Sequence, residues 1–243
     1  ALIPDFEPQS IQFETANCTS FNTLKAIQTL ETRLDQAKDN YSDRFLGIMA
    51  GTRPPGNDPI TVAEALRKNG AIAEALLPFS PILLSVDDYY SFKAGDEVEC
   101  RKRGQEWLDT WNVGYEIVPI TPKMMKQALL YSPLGASVHG WNREGELYTS
   151  LPEWGQNHWA TIVGYKEGEY WIIDDSYLED GTPIKHLRWD FPFGFVLRYH
   201  LELRPDIKKK LSTWEVLLKD LRRVLETWFP PFAPILPMFE QPI

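Results

Sequence analysis

The stretch Asn157-His158-Trp159-Ala160-Thr161-Ile162-Val163-Gly164-Tyr165, followed by Tyr170-Trp171-Ile172-Ile173-Asp174-Asp175-Ser176-Tyr177, decides how the chain is read. Each half is a short apolar run rich in β-branched and aromatic residues, and the Gly-bearing link Lys166–Glu169 between them reads as a hairpin turn. In such a hairpin the start of the first strand faces the end of the second, so His158 comes close to Asp174 or Asp175. Strand alternation sends those two carboxylates to opposite faces, so only one of them can meet the imidazole. A carboxylate beside a histidine fixes its tautomer and stabilises the imidazolium.

Working outward, the same period-two texture recurs at Ala136-Ser137-Val138 and at Phe195 to Tyr199, whereas the first half of the chain is helical. Phe21, Leu24, Ile27, Leu30 and Leu34 recur at three- and four-residue steps. Asn17 is placed to cap that helix, which puts Cys18 at its first turn. A loop rich in Gly and Pro spans 51–58, a second helix runs from Thr61 to Lys68 before Asn69-Gly70, and Thr121-Pro122 opens another as far as Tyr131. Residues 80–120 mix short apolar runs with a charged helical piece around Cys100–Trp111. Helices early and an antiparallel sheet late are the order of an α+β protein. At 207–228 a stripe of Ile207, Leu211, Trp214, Leu218, Leu221, Leu225 and Trp228 marks an amphipathic helix. It is followed by a tail with prolines at 230, 231, 234, 237 and 242.

Composition bounds the function. The 243 residues carry 25 basic and 34 acidic side chains, a net charge of −9, which disfavours a protein that lives by neutralising phosphates. No run of 18 apolar residues is long enough to span a membrane, and the first residues lack the pattern of a signal peptide. Two cysteines do not make a disulfide scaffold, and with four scattered histidines they give no metal-ligand spacing. No Gly-rich nucleotide-binding string occurs.

A thiol at a helix start feels unpaired N–H groups and the positive end of the peptide dipoles, both of which favour the nucleophilic thiolate. Cys18 has that position; Cys100, in the charged run Glu97–Lys102, reads as a bystander. A nucleophilic cysteine needs a base, and the base needs an orienting partner. His158 and one of the two aspartates can supply them.

These residues resemble the papain-like cysteine peptidases, whose His-bearing strand reads N-H-A-V-x-x-V-G-Y and is followed by Y-W-x-x-x-N-S-W. The spacings 158 − 18 = 140 and 175 − 18 = 157 fit the separation of about 130–150 residues typical of that family. The resemblance implies Cys18 as nucleophile, His158 as base and Asp175, where the family has Asn, as orienter. It implies Gln12, six residues before Cys18, as the oxyanion-hole side chain. Tyr177 falls where a Trp shields the His–Asn bond, and Gly56-Asn57 resembles the loop that binds an extended substrate backbone. Asn157 and Trp159, flanking the base, are expected to line the cleft. Asn40–Leu46 resembles the family's L-S-E-Q-x-L segment, and Ala128–Val138 its A-L-x-x-x-G-P-V-S-V. The family's C-G-S-C-W motif is replaced by Ala16-Asn17-Cys18-Thr19-Ser20-Phe21, so its disulfides cannot form.

The implied architecture is a papain-like domain over 1–203, with a central helix in one half, an antiparallel barrel-like sheet in the other and the site in the cleft between them. Residues 204–243 form an appended helix and tail, with 207–228 a candidate contact to a partner or a membrane surface. The implied activity is endopeptidase action on a polypeptide substrate through Cys18, His158, Asp175 and Gln12, with no cofactor. Three other readings stay open: a silent papain-like binding module, a cell-wall amidase or acyl transferase with a Cys-His-Asp triad, and a leader-peptide-cleaving peptidase. Asp174, on the opposite face from Asp175, is expected to tolerate Ala with little kinetic effect.

Overall fold

The computed structural model describes residues 14–34, 40–151, 155–179 and 182–207. The expected helix at 207–228 and the proline-rich tail therefore lie outside the described residues, apart from Ile207. The elements run α1 (Cys18–Arg33), α2 (Asp43–Met49), α3 (Pro59–Asn69), α4 (Val86–Tyr89), α5 (Glu97–Thr110), β1 (Trp111–Ile117), α6 (Pro122–Leu129), β2 (Leu134–Val138), β3 (Trp141–Glu144), β4 (Leu147–Ser150), β5 (His158–Lys166), β6 (Tyr170–Glu179), β7 (Thr182–Arg188) and β8 (Phe195–Leu203). Helices come first and the sheet comes last, as expected.

Helix α1 departs from the amphipathic expectation. Twelve of its 16 residues are buried, polar ones included. A buried polar group in such surroundings calls for a partner, and several have one. Thr23 Oγ1 meets the Tyr199 hydroxyl at 2.9 Å, Lys25 pairs with Asp174, and Glu31 accepts from the Tyr41 hydroxyl. The helix is central because it is wrapped on all sides: α2 and α3 pack on one flank, β5 and β8 on the other.

The sheet has the strand order β1-β8-β2-β5-β6-β7-β4-β3. All pairs are antiparallel except the short β4–β7 contact. One face joins α1, α2 and α3 in a core containing Leu24, Ile27, Leu46, Leu66, Trp159 and Leu197. The other encloses a second core of Leu134, Val138, Ile162, Trp171, Ile173, Leu187 and Phe193. Although β3 and β5 are four places apart in the order, the Trp141 ring of β3 touches the His158 ring of β5. The sheet therefore curls into a barrel-like shape around the second core.

Local chemistry fixes the helical half. Asp58 caps α3 ahead of Pro59, so that helix begins before Thr61. It ends at Gly70, which has φ +73°, and a Cβ there would lie 2.0 Å from the Gly104 carbonyl oxygen. Glycine at 70 is what lets α3 and α5 approach so closely. The thinly structured stretch after Leu77 is organised by the buried Arg44 of α2. Its guanidinium donates to the carbonyls of Pro78, Asp88, Tyr89, Ser91 and Lys93 at 2.6 to 3.2 Å.

Candidate active site

Cys18 is the first residue of α1, so its N–H has no acceptor within the helix. Asn17 occupies the capping position, but its side chain makes no cap bond. Its Nδ2 instead donates to the Asp43 carbonyl at 2.9 Å and the Tyr89 hydroxyl at 2.8 Å. The expected cap is thus spent on anchoring the residue before the thiol to α2 and α4. Asp43 is fully enclosed there, and burial pushes its carboxyl up to about 6 against the hydrogen bonds from Tyr89 and Asn17.

His158 opens β5 and is brought to Cys18 by a clamp that sequence reasoning missed. Asn22, one turn below the thiol, donates to the Cys18 carbonyl at 2.9 Å and to the Trp159 carbonyl at 2.5 Å. Thr161 donates back to the Asn22 side-chain oxygen at 3.0 Å and main-chain oxygen at 3.1 Å. An asparagine four residues after a candidate nucleophile, inside a helix, was the available signal.

Asp175 receives the histidine. His158 Nε2 lies 2.7 Å from Asp175 Oδ1, and the imidazole and the Cys18 thiol attract one another when both are charged. Burial resists charging both groups, yet the mutual attraction wins. Burial raises the thiol, but His158, the Trp159 N–H and Thr19 outweigh it and hold Cys18 below its ordinary value. Burial lowers the imidazole, but Asp175 and Cys18 push it up to about 10. Asp175 itself falls to about 2, burial being overcome by His158 and Lys185. Both shifts run toward a thiolate beside an imidazolium.

Asp174 points the other way, as alternation requires, but it is no spectator. It is fully buried and forms a 2.5 Å ion pair with Lys25 of α1. Losing one partner of such a pair is costly, so Asp174→Ala carries a stability cost that the kinetic expectation does not address.

The remaining expected residues divide. The Gly56–Asn57 loop lies against the start of α1: a Cβ at Gly56 would come 3.6 Å from the Ala16 carbonyl oxygen, and Thr19 Oγ1 donates to the Asn57 carbonyl at 3.2 Å. Asn157 is exposed, and its Oδ1 accepts from the Gly140 N–H at 2.6 Å, fixing the turn into β3. Trp159 does not line a cleft. It is 2% exposed in the first core, its indole lying against Gly135 where a Cβ would come within 2.4 Å. Alternation from His158 turns Trp159 toward α1. Gln12 and the Tyr177 side chain lie outside the described residues. An indole nonetheless meets the imidazole: Trp141 stands edge-on to His158, centroids 5.5 Å apart at 89°. Cys100 is buried among Phe45, Ile72 and Leu77, and burial raises its thiol; it has the character of an inert core residue.

Among the described residues no group of three or more His, Cys, Asp or Glu could hold a metal ion, and no helix is long and apolar enough to cross a membrane.

No protein-family model and no curated protein matches the sequence. Solved structures do match the fold. Xylellain, a cysteine protease from Xylella fastidiosa, is similar with a TM-score of 0.64 at 14% identity, over 83% of this chain and 83% of its own. The clostridial cysteine protease Cwp84, after propeptide cleavage, gives 0.63 at 12% identity over 82% of this chain; the match spans 56% of the Cwp84 chain. The Carica candamarcensis cysteine protease CMS1MS2, in complex with E-64, gives 0.59 at 14% identity, over 79% and 91% of the two chains. The chain has the papain-like fold.

Proposed function

We propose that the protein is a cysteine endopeptidase in which Cys18 is the nucleophile, His158 the general acid and base, and Asp175 the orienter. One observation carries the reading: a buried carboxylate is hydrogen-bonded to an imidazole that also acts on a partly exposed thiol at a helix start. Each member also perturbs the others in the direction nucleophilic catalysis needs.

In the reaction the Cys18 thiolate adds to the substrate carbonyl carbon, and the oxyanion is met by the free Cys18 N–H and the Gln12 side chain. The imidazolium then gives its proton to the leaving amine as the C–N bond breaks, leaving a thioester on Cys18. Neutral His158 takes a proton from water, the hydroxide adds to the thioester, and the acid departs with the thiolate and imidazolium restored. Water is the sole co-reactant, so the cycle balances without a cofactor. Asp175 stabilises the charged ring in each half and never needs the proton itself. The loop at Gly56-Asn57, tied to Ala16 and Thr19, is positioned to hold an extended peptide beside the thiol.

Titration with E-64 tests this directly, alongside hydrolysis of fluorescein-labelled casein. The epoxide is expected to label Cys18 at one equivalent and abolish casein cleavage, and Cys18→Ala is expected to lose both. Casein cleavage at an undiminished rate by Cys18→Ala would overturn the assignment. Amidase action would show as peptidoglycan hydrolysis with casein untouched, and a silent binding module as neither.

A further inference from the structure

Beneath the triad lies a cation that the proposed mechanism does not use. Lys185 of β7 is fully buried, and its Nζ donates to Asp175 Oδ2 at 2.9 Å while Oδ1 holds His158. Its strand position explains the contact. Lys185 pairs across the ladder with Ile173, so it shares a face with Ile173 and its diagonal neighbour Asp175. The Nζ also stands 5.6 Å from the centroid of the Trp141 ring, which meets His158 as well. Carboxylate, imidazole, indole and ammonium thus close on one another at the top of the barrel.

A charged orienter raises a problem that an amide does not. An uncompensated buried carboxylate would hold the imidazolium so firmly that His158 could not release its proton to the leaving amine. A second oxygen left without a donor would also let the carboxyl rotate away from the ring. We infer that Lys185 is a positioning residue of the reaction: by occupying Oδ2 and cancelling the charge of Asp175, it makes an aspartate serve as a neutral acceptor for His158. The inference rests on the reading of Cys18 and His158 given above. Among the described residues, the charged groups facing the triad from the packed elements are consistent with it. Lys25 and Cys18 come from α1, His158 from β5, Asp174 and Asp175 from β6, and Lys185 from β7. With the thiol and ring ionised, these six charges sum to zero, and Lys25 is already matched by Asp174, so Lys185 is the cation that balances Asp175.

The test is a charge-pair cycle read two ways: the pH dependence of Cys18 alkylation by iodoacetamide, followed on the Cys18 peptide, and steady-state cleavage of fluorescein-labelled casein. In Lys185→Met the imidazolium loses a repelling neighbour, so the alkaline limb of the alkylation profile should move up by about one pH unit or more. The kcat should fall at least about tenfold, with KM changed less than about threefold. In Asp175→Asn the unmatched Lys185 should move that limb the opposite way and also lower kcat. In the double variant Lys185→Met/Asp175→Asn, neutral on both sides, kcat should rise at least about fivefold above Asp175→Asn. If Lys185→Met does not fold, that last comparison decides alone. A double variant no faster than Asp175→Asn would overturn the inference, as would a Lys185→Met profile and kcat matching the parent. Failure of the peptidase reading is distinguishable, because it is read by Cys18→Ala retaining activity whatever Lys185 does.

Discussion

Removing Asp174 should cost the protein its stability and leave the chemistry of the surviving folded molecules largely intact. The carboxylate and Lys25 Nζ are 2.5 Å apart with side chains 0% and 2% exposed, and Lys25 also donates to the Asp175 carbonyl at 3.2 Å. Asp174→Ala strands a cation in the space between α1 and β6, and breaking one side of a buried pair costs about 3–5 kcal/mol. At about 2–4 °C per kcal/mol for a chain of this size, Tm should fall by about 6–20 °C. The pH dependence carries a further signature. Burial already holds Lys25 below its ordinary value with Asp174 present, so alone it should fold without its proton. The unfolded chain then binds one proton more than the native state, and stability relative to the parent rises with pH by about 1.4 kcal/mol per unit below the lysine's unfolded value. Between pH 7 and 9 the deficit should therefore shrink by about 2–3 kcal/mol. The assay is urea unfolding at several pH values in a Cys18→Ala background, which excludes self-cleavage. The double variant Lys25→Met/Asp174→Leu should recover most of the loss. A drop in Tm below about 2 °C, or a deficit constant from pH 7 to 9, would refute the reasoning.

Other outcomes follow from the same geometry. Asp175→Ala should pull the alkaline limb of kcat/KM to lower pH, because the carboxylate is what holds the His158 proton so high; an unmoved limb would remove Asp175 as orienter. Asn22→Ala should lower kcat by about 10–100-fold with little change in KM, since it loosens the tie between the thiol's helix and the histidine's strand; equal loss in KM would make it a binding residue. Gln12→Ala should lower kcat by about 100-fold or more if its side chain meets the oxyanion, and a pure KM effect would assign it to substrate positioning. Cys18→Ala should leave the thermal midpoint within a few degrees of the parent, as a partly exposed thiol contributes less than about 1 kcal/mol.

What the sequence disclosed was set by periodicity. The α1 start and the β5–β6 hairpin come from regular patterns, and the structure has them. Alternation alone leaves Asp174 and Asp175 open, and it is the Ser176-Tyr177 pair after Asp175 that points to the carboxylate His158 meets. Strand β1 escaped because Trp111 continues directly from α5 with no intervening turn and its pattern is only half buried. Strand β7 escaped because Thr182-Pro183-Ile184-Lys185-His186-Leu187-Arg188 carries proline and charge where a buried strand shows apolar residues. Lys185 and Trp141 escaped with it, for their relation to His158 exists only once the sheet has curled. Trp159 was misplaced by adjacency: a neighbour in sequence on a strand is turned to the opposite side.

The Arg44 arrangement has a consequence for how the molecule breathes. Five carbonyls between Pro78 and Lys93 converge on one guanidinium, so this stretch has a hub where a sheet would have a ladder. A ladder frays rung by rung, whereas a hub releases everything at once. Amide hydrogen exchange across 78–93 should therefore occur as a single cooperative opening, with similar protection at distant amides. Lysine cannot stand in at position 44, because one ammonium has three donors and no planar fork to span the five sites. Since Tyr89, within this stretch, also holds Asn17 beside the thiol, each such opening would momentarily unmoor the start of the helix that carries Cys18.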